Sequence, residues 1–156
     1  MLKTALNDFH RAHGGRMVDF AGWDMPVVYT GIIEEHHWTR RHCSAFDVSH
    51  MGRLRFDGPD AGAFLERICT RRIGDMKVGQ CRYGHVCRQD GGILDDVIVS
   101  RFESHWGMVC NASNREKLLG WFKQQSAGMN MKLTDQTLET SMLAIQGPEA
   151  IETVDR

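Results

Sequence analysis

Gly91-Gly92-Ile93-Leu94-Asp95-Asp96-Val97-Ile98-Val99-Ser100 sets two adjacent acids inside a run that otherwise reads as a buried strand. Strand side chains alternate between faces, so Asp95 and Asp96 are expected to point opposite ways. One of them reaches water cheaply. The other is driven toward a core or a cavity, where an unpaired carboxylate is expensive and needs a structural partner or a ligand. Asp90-Gly91-Gly92 is a turn signal, and Cys81-Arg82-Tyr83-Gly84-His85-Val86-Cys87 before it reads as a second strand, so the two are predicted to form a hairpin.

Outward from this hairpin, the spacing predicts a third strand over Trp106 to Cys110. A helix follows from the capping-box form Ser113-Asn114-Arg115-Glu116 to about Ser126, and a further strand spans Met129 to Leu133. Upstream, Arg53-Leu54-Arg55-Phe56 alternates as a half-exposed strand and Gly58-Pro59 opens a helix carrying Ala63, Phe64, Leu65 and Ile68. The order strand, helix, strand, strand, strand, helix, strand is, minus one strand, the split βαβ or ferredoxin-like plan, and the fold class expected is α+β. Nearer the N-terminus, Leu2 to His10 reads as a short helix and Met17 to Phe20 as extended. Ala21 to Tyr29 reads as an irregular but largely buried stretch, and Gly31 to His42 as a helix with acids early and bases late. Ser141 to Ile145 is predicted as a strand, and Gly147-Pro148-Glu149 starts a last helix.

The chain has 156 residues and a formal net charge of -1, enough length for a real core and too little charge bias to favour nucleic acid. No apolar run approaches the roughly 20 residues of a membrane helix, and no signal-peptide pattern opens the chain, so a soluble, cytoplasmic protein is expected. The five cysteines contain no C-x-x-C pair, and reduced, mostly buried thiols are the expectation. His36, His37 and His42 lack the three- or four-residue spacing that gathers metal ligands on a helix, so no metal site is expected. Asp47-Val48-Ser49-His50 does not read as a hydrolytic site, because adjacent residues on a strand or turn rarely meet as nucleophile and base.

Met17-Val18-Asp19-Phe20-Ala21-Gly22-Trp23-Asp24-Met25-Pro26-Val27, Phe46-Asp47-Val48-Ser49-His50-Met51-Gly52, Gly91 to Val99 and Leu143-Ala144-Ile145-Gln146-Gly147-Pro148 occur in order and at fitting spacing. Together they closely resemble the N-terminal part of the aminomethyltransferase of the glycine cleavage system, the T-protein. Members of that family are usually more than twice this long, with three domains around a channel for tetrahydrofolate. The resemblance therefore implies a fragment: residues 1–51 as the first part of the folate-channel domain, 52–134 as an inserted ferredoxin-like domain, and 135–156 as the start of the return segment.

The reaction the resemblance implies moves the methylene carbon of an aminomethyl-lipoyl carrier protein (H-protein) to N5 of tetrahydrofolate and releases ammonia. Asp96, the second of the paired acids, matches the family's essential acid and is expected to orient and electrostatically support the reacting nitrogen. Tyr83, Asn111 and Met51 match its folate contacts through a ring face and hydroxyl, a pterin-edge amide and ring packing respectively. Ser100 departs from the pattern, since many relatives carry tyrosine there. Two alternatives share the folate pocket: an accessory factor in iron–sulfur protein maturation, and a folate-dependent demethylase or folate domain of an amine-oxidising enzyme. The full Phe46 to Gly52 run favours the aminomethyltransferase.

Overall fold

The computed structural model describes residues 1–155. Two units emerge, one formed by Met1–His50 with the segment from Thr140 onward, the other by the continuous stretch Met51–Glu139.

In the first unit the N-terminal residues are not yet helical. Leu2 bridges to Trp23, its amide donating to Gly22 O at 2.8 Å and its carbonyl accepting from Asp24 N at 2.8 Å. Helix α1 therefore covers Asn7–Ala12 rather than the expected Leu2–His10, because the first residues are taken up as an edge of the hairpin that follows. That hairpin pairs β1, Arg16–Phe20, with β2, Trp23–Val28, through the two-residue turn Ala21-Gly22, both with positive φ (52° and 81°). The expectation of an irregular stretch over Ala21 to Tyr29 is thus corrected. Pro26 disguised the strand, yet it is tolerated because a two-stranded ribbon has only edges.

Helix α2 spans Ile32–Arg41, as expected, and none of its residues is buried. Strand β3, Ser44–Asp47, is a short element with no sequence signal of its own; its partner is supplied from much later in the chain.

The second unit opens with β4, Gly52–Asp57, whose Leu54 and Phe56 point inward, and α3, Ala61–Ile68. Next come β5, Cys81–Cys87, β6, Ile93–Arg101, and β7, Trp106–Cys110. A 3₁₀ turn at Ala112–Asn114 leads into α4, Arg115–Gln125, and β8, Lys132–Asp135, ends the unit. The predicted capping box does not form: Ser113 makes no capping bond, and Glu116 pairs with Arg115 at 3.0 Å instead. Strand β8 starts later than the expected Met129, because Met129 and Met131 first pack on the core and Asn130 is tied by its amide to Asp60 Oδ2 at 2.7 Å.

The five strands form an antiparallel sheet in the order β5-β6-β7-β4-β8. Inward residues Leu54, Phe56, Val86, Val97, Val99, Met108 and Cys110 join α3 and α4 in one core, where Phe56, Phe64 and Phe122 meet with ring centroids 5.7–5.9 Å apart. Both helices therefore cover a single face of the sheet. The opposite face carries Tyr83, His85, Asp96, Ile98 and Val109.

Returning to the first unit, β9, Leu143–Gln146, pairs antiparallel with β3 from Ser44↔Gln146 to Asp47↔Leu143, and α5 covers Ala150–Val154. The architecture is mixed α and β with antiparallel sheets. Among the described residues no helix is long and apolar enough to cross a membrane, and no group of three His, Cys, Asp or Glu side chains is placed to hold a metal ion. The expectation of mostly buried thiols is corrected: of the five free cysteines only Cys110 is buried, while Cys81 is exposed. Cys81 lies at the start of β5, on the edge of the sheet, where no neighbouring strand covers it.

Candidate functional site

The paired acids lie on β6 just after an irregularity in its pairing with β5. Ile93 is opposite Cys87 and Asp95 is opposite Val86, so Leu94 is an extra residue, a β-bulge. The extra residue resets the alternation so that Leu94 and Asp95 are both buried, after which Asp96 and Ile98 are exposed and Val97 and Val99 buried. The two side chains thus leave β6 on opposite faces, the buried one being Asp95, and both carboxylates reach Asn111 beyond the end of β7.

Asp95, 3% exposed, is fully partnered. Its Oδ2 accepts from the Asn111 backbone N–H at 2.9 Å, and its Oδ1 accepts from Asn111 Nδ2 at 2.9 Å and Asn114 Nδ2 at 2.5 Å. All three donors come from the end of β7 and the 3₁₀ turn that starts α4. The partner that a buried acid requires is therefore structural.

On the open side, Asp96 Oδ1 accepts from Asn111 Nδ2 at 2.8 Å and Oδ2 accepts from the Tyr83 hydroxyl at 3.3 Å. Tyr83 stays a donor: desolvation of its hydroxyl, then the Asp96 charge, push the phenol above its ordinary value. The residue is 58% exposed, with its ring on the sheet surface. Met51 sits one residue before Gly52, whose register partner is Cys110, so Met51 and Asn111 lie at neighbouring strand ends. The structure thus brings Asp96, Tyr83 and Asn111 into one hydrogen-bonded group, with Met51 at its border. Ser100, four residues along β6 from Asp96, contacts Cys81 Sγ at 3.2 Å through its hydroxyl and offers no aromatic wall.

Two residues on this face carried no recognised sequence signal. His85 is the register partner of Asp96 and stands edge-on to Tyr83, with ring centroids 5.6 Å apart. Arg53 lies in a row across the sheet with Ile98 and Val109, and its guanidinium donates to Met51 O at 2.8 Å and to Thr137 O. Period-two alternation assigns both to the exposed face. Only the strand order shows that His85 stands beside the acid and that Arg53 lies two strands away on the same face.

The first unit contains a cleft of about 460 Å³ lined by His10, Tyr29, Glu35, Trp38, Phe46 and Asp47 among others. Its polar groups are engaged with one another. His10, 4% exposed, bridges the Tyr29 hydroxyl at 2.6 Å and Asp47 Oδ2 at 2.9 Å, and Glu35 Oε1 accepts from the Tyr29 and Thr30 amides at 2.7 Å each. Ser49, beside it in sequence, both donates to and accepts from the Met142 backbone, so its hydroxyl has a structural role. None of Met51, Tyr83, Asp96 and Asn111 lines this cleft.

The profile of the GCVT N-terminal domain matches residues 6–156. The chain belongs to this family. It is 47% identical over 151 residues to an aminomethyltransferase of Herpetosiphon aurantiacus, and 47% identical over 148 residues to one of Rubrobacter xylanophilus. These alignments cover 96% and 95% of the chain but 42% and 40% of the relatives, so the chain spans less than half the length of either. The crystal structure of glycine cleavage system aminomethyltransferase T from Bartonella henselae superposes with a TM-score of 0.92 at 34% identity, covering 98% of this chain and 42% of that one. The acid pair and its amide partners therefore belong to a GCVT N-terminal domain, and the likeness of fold extends over nearly all of it.

Proposed function

We propose that the chain supplies part of the folate wall of a tetrahydrofolate-dependent aminomethyltransferase of the glycine cleavage system, with Asp96 as the catalytic carboxylate and Met51, Tyr83 and Asn111 as folate contacts. The observation that carries this reading is the exposed Asp96, held by Tyr83 and Asn111 on the uncovered face of the sheet in a chain of this family. The donor set fits the ligand. A reduced pterin presents several N–H donors along one edge, which a carboxylate and an amide carbonyl accept. Its flat ring matches a floor of Tyr83, Ile98 and Val109. A fixed carboxylate beside the reacting nitrogen favours the positive charge that develops there and holds the nitrogen in place.

The sheet order β8-β4-β7-β6, with helices after β4 and β7 and β5 added at the edge, supports assigning residues 52–134 as a ferredoxin-like (split βαβ) domain. Residues 1–51 and 135–156 are then the two ends of an interrupted first domain of the folate channel. In this reading the one-carbon donor is the aminomethylated lipoyl arm of H-protein, and the setting is the cytoplasm.

The test is titration with 5-formyltetrahydrofolate, an air-stable reduced folate, followed by backbone amide shifts. Saturable changes at Tyr83, Asp96 and Asn111 are expected, with affinity at least about tenfold weaker in Asp96→Ala. Asp96→Asn keeps an acceptor and nearly the same volume, so most binding is expected to survive. In a chain extended to the length of its relatives, single-turnover aminomethyl transfer should fall on the order of 10²-fold in Asp96→Asn, because the preorganised charge is gone. Shifts confined to the first unit's cleft, or no saturation at millimolar folate, would refute the reading.

A further inference from the structure

Asp95 and Asp96 are linked through one side chain. The Asn111 carboxamide has two N–H bonds on Nδ2 and two acceptor sites on Oδ1. Its Nδ2 lies 2.9 Å from Asp95 Oδ1 and 2.8 Å from Asp96 Oδ1, while its backbone N–H is held by Asp95 Oδ2 at 2.9 Å. Two carboxylates on one side of an amide admit only one orientation: the flipped amide would set Oδ1 against two anionic oxygens. Both Nδ2 protons are thereby spent inside the protein, and Oδ1 is the atom left to meet a ligand.

We propose that Asp95 is a positioning residue for the folate face, acting through Asn111: it fixes the amide so that Nδ2 steadies Asp96 and Oδ1 is presented as an acceptor for a pterin N–H. This rests on the folate reading above. Asp95 is suited to the task because it is buried, so its own position is set by the core and by the bulge at Leu94. It receives Asn114 Nδ2 as well, which ties the same carboxylate to the turn that starts α4. A carboxylate, with acceptors only, orients an amide in a way that a second amide does not.

In Asp95→Asn the introduced amide must place its N–H₂ against either the Asn111 backbone N–H or the Nδ2 groups of Asn111 and Asn114. The lower-cost outcome turns Asn111 over, so that its Oδ1 faces the introduced N–H₂ and is repelled by Asp96. Folate then loses an acceptor and Asp96 loses its amide donor.

The experiment is a cycle of wild type, Asp95→Asn, Asn111→Ala and the double variant in the full chain. It has two readouts: ¹⁵N NMR of the Asn111 side-chain amide without ligand, and equilibrium titration with 5-formyltetrahydrofolate. In wild type both Nδ2 protons are expected to exchange slowly. In Asp95→Asn that protection is lost and folate affinity falls on the order of tenfold, Asn111→Ala falls similarly, and the double variant is no weaker than Asn111→Ala alone. Additive losses, or an Asn111 amide unaltered by Asp95→Asn, would overturn the proposal, since a merely structural Asp95 weakens binding independently of Asn111. The wild-type exchange measurement decides even where Asp95→Asn fails to fold: fast-exchanging Nδ2 protons overturn the positioning role. If wild type binds no folate while its Asn111 amide is locked and Asp95→Asn releases it, the folate reading fails and the Asp95–Asn111 link stands.

Discussion

The close pairing of β4 with β7 is what sets Met51 beside Asn111, and Gly52 is the residue that permits it. A Cβ added at Gly52 would fall well under 3.0 Å from Cys110 Sγ, with Arg115 Cγ at 3.4 Å. The arginine contact is at ordinary van der Waals distance and is tolerable. The Cys110 contact is not, the residue being a short, wholly buried side chain with the core behind it. Gly52→Ala therefore forces an overlap on the order of an ångström, and overpacking of this kind costs roughly 1–3 kcal/mol. The gain from replacing a strand glycine, about 0.5–1 kcal/mol, offsets part of it and leaves a net loss of at most about 2.5 kcal/mol. Cys110→Ala removes the obstructing sulfur and leaves a small cavity costing about 1 kcal/mol. In that background Gly52→Ala should be neutral or mildly stabilising, which makes the coupling between the two sites about 1–3 kcal/mol. Urea denaturation of the four variants, with hydrogen exchange at the β4 and β7 amides, measures this. Equal destabilisation by Gly52→Ala in both backgrounds would refute the steric account of the pairing.

Phe122→Ala removes one of three mutually packed, fully buried rings, and thermal or urea unfolding of the second unit should show a loss of about 3–5 kcal/mol. Burial works to raise the Asp47 carboxyl, but hydrogen bonds from His10 and Ser49 outweigh it and hold it below its ordinary value. A depressed folded value means stability that is fully present above about pH 3.9 and lost as pH falls through the folded value. Melts of wild type and Asp47→Asn from pH 7 downward should converge in that acid range. Burial pushes the Cys110 and Cys69 thiols up to about 12, whereas Cys81 is exposed. Iodoacetamide at about pH 8, followed by peptide mass spectrometry, should modify Cys81 in the native protein and reach Cys110 only on unfolding.

The hairpin around the acid pair was legible because Asp90-Gly91-Gly92 and alternating apolar residues are local signals, and local signals also placed α2, α3, β4 and β7. What escaped depended on partners distant in sequence. Strand β3 has four residues and no alternation of burial, and becomes a strand only by pairing with Leu143–Gln146. Strand β2 was masked by Pro26, whose missing N–H matters little in a two-stranded ribbon. The capping box at Ser113 lost to Asp95, which holds Asn111 and Asn114 in a 3₁₀ turn that local chemistry does not anticipate. At the site, alternation separated the two acids onto opposite faces. It did not show the bulge at Leu94 that decides which acid is buried, nor Asn111 as the bridge between them.

The register of β3 with β9 joins Asp47 to Leu143 across the whole of the second unit. Were the intervening chain unfolded, this pairing would close a loop on the order of 100 residues before any contact rewarded it. Yet the second unit brings its own ends together: the Gln136 amide donates to Arg53 O at 2.8 Å and the Arg53 amide to Thr137 Oγ1 at 3.0 Å. Once it has folded, the remaining loop is only a handful of residues on each side, which lowers the closure cost by about 2 kcal/mol. The second unit is therefore expected to form first, since all of its strand pairings lie within its own continuous stretch. The pairing of β3 waits until the residues of β9 have been synthesised, and protection of the Ser44–Asp47 amides against hydrogen exchange should rise only after that of the β6 and β7 amides.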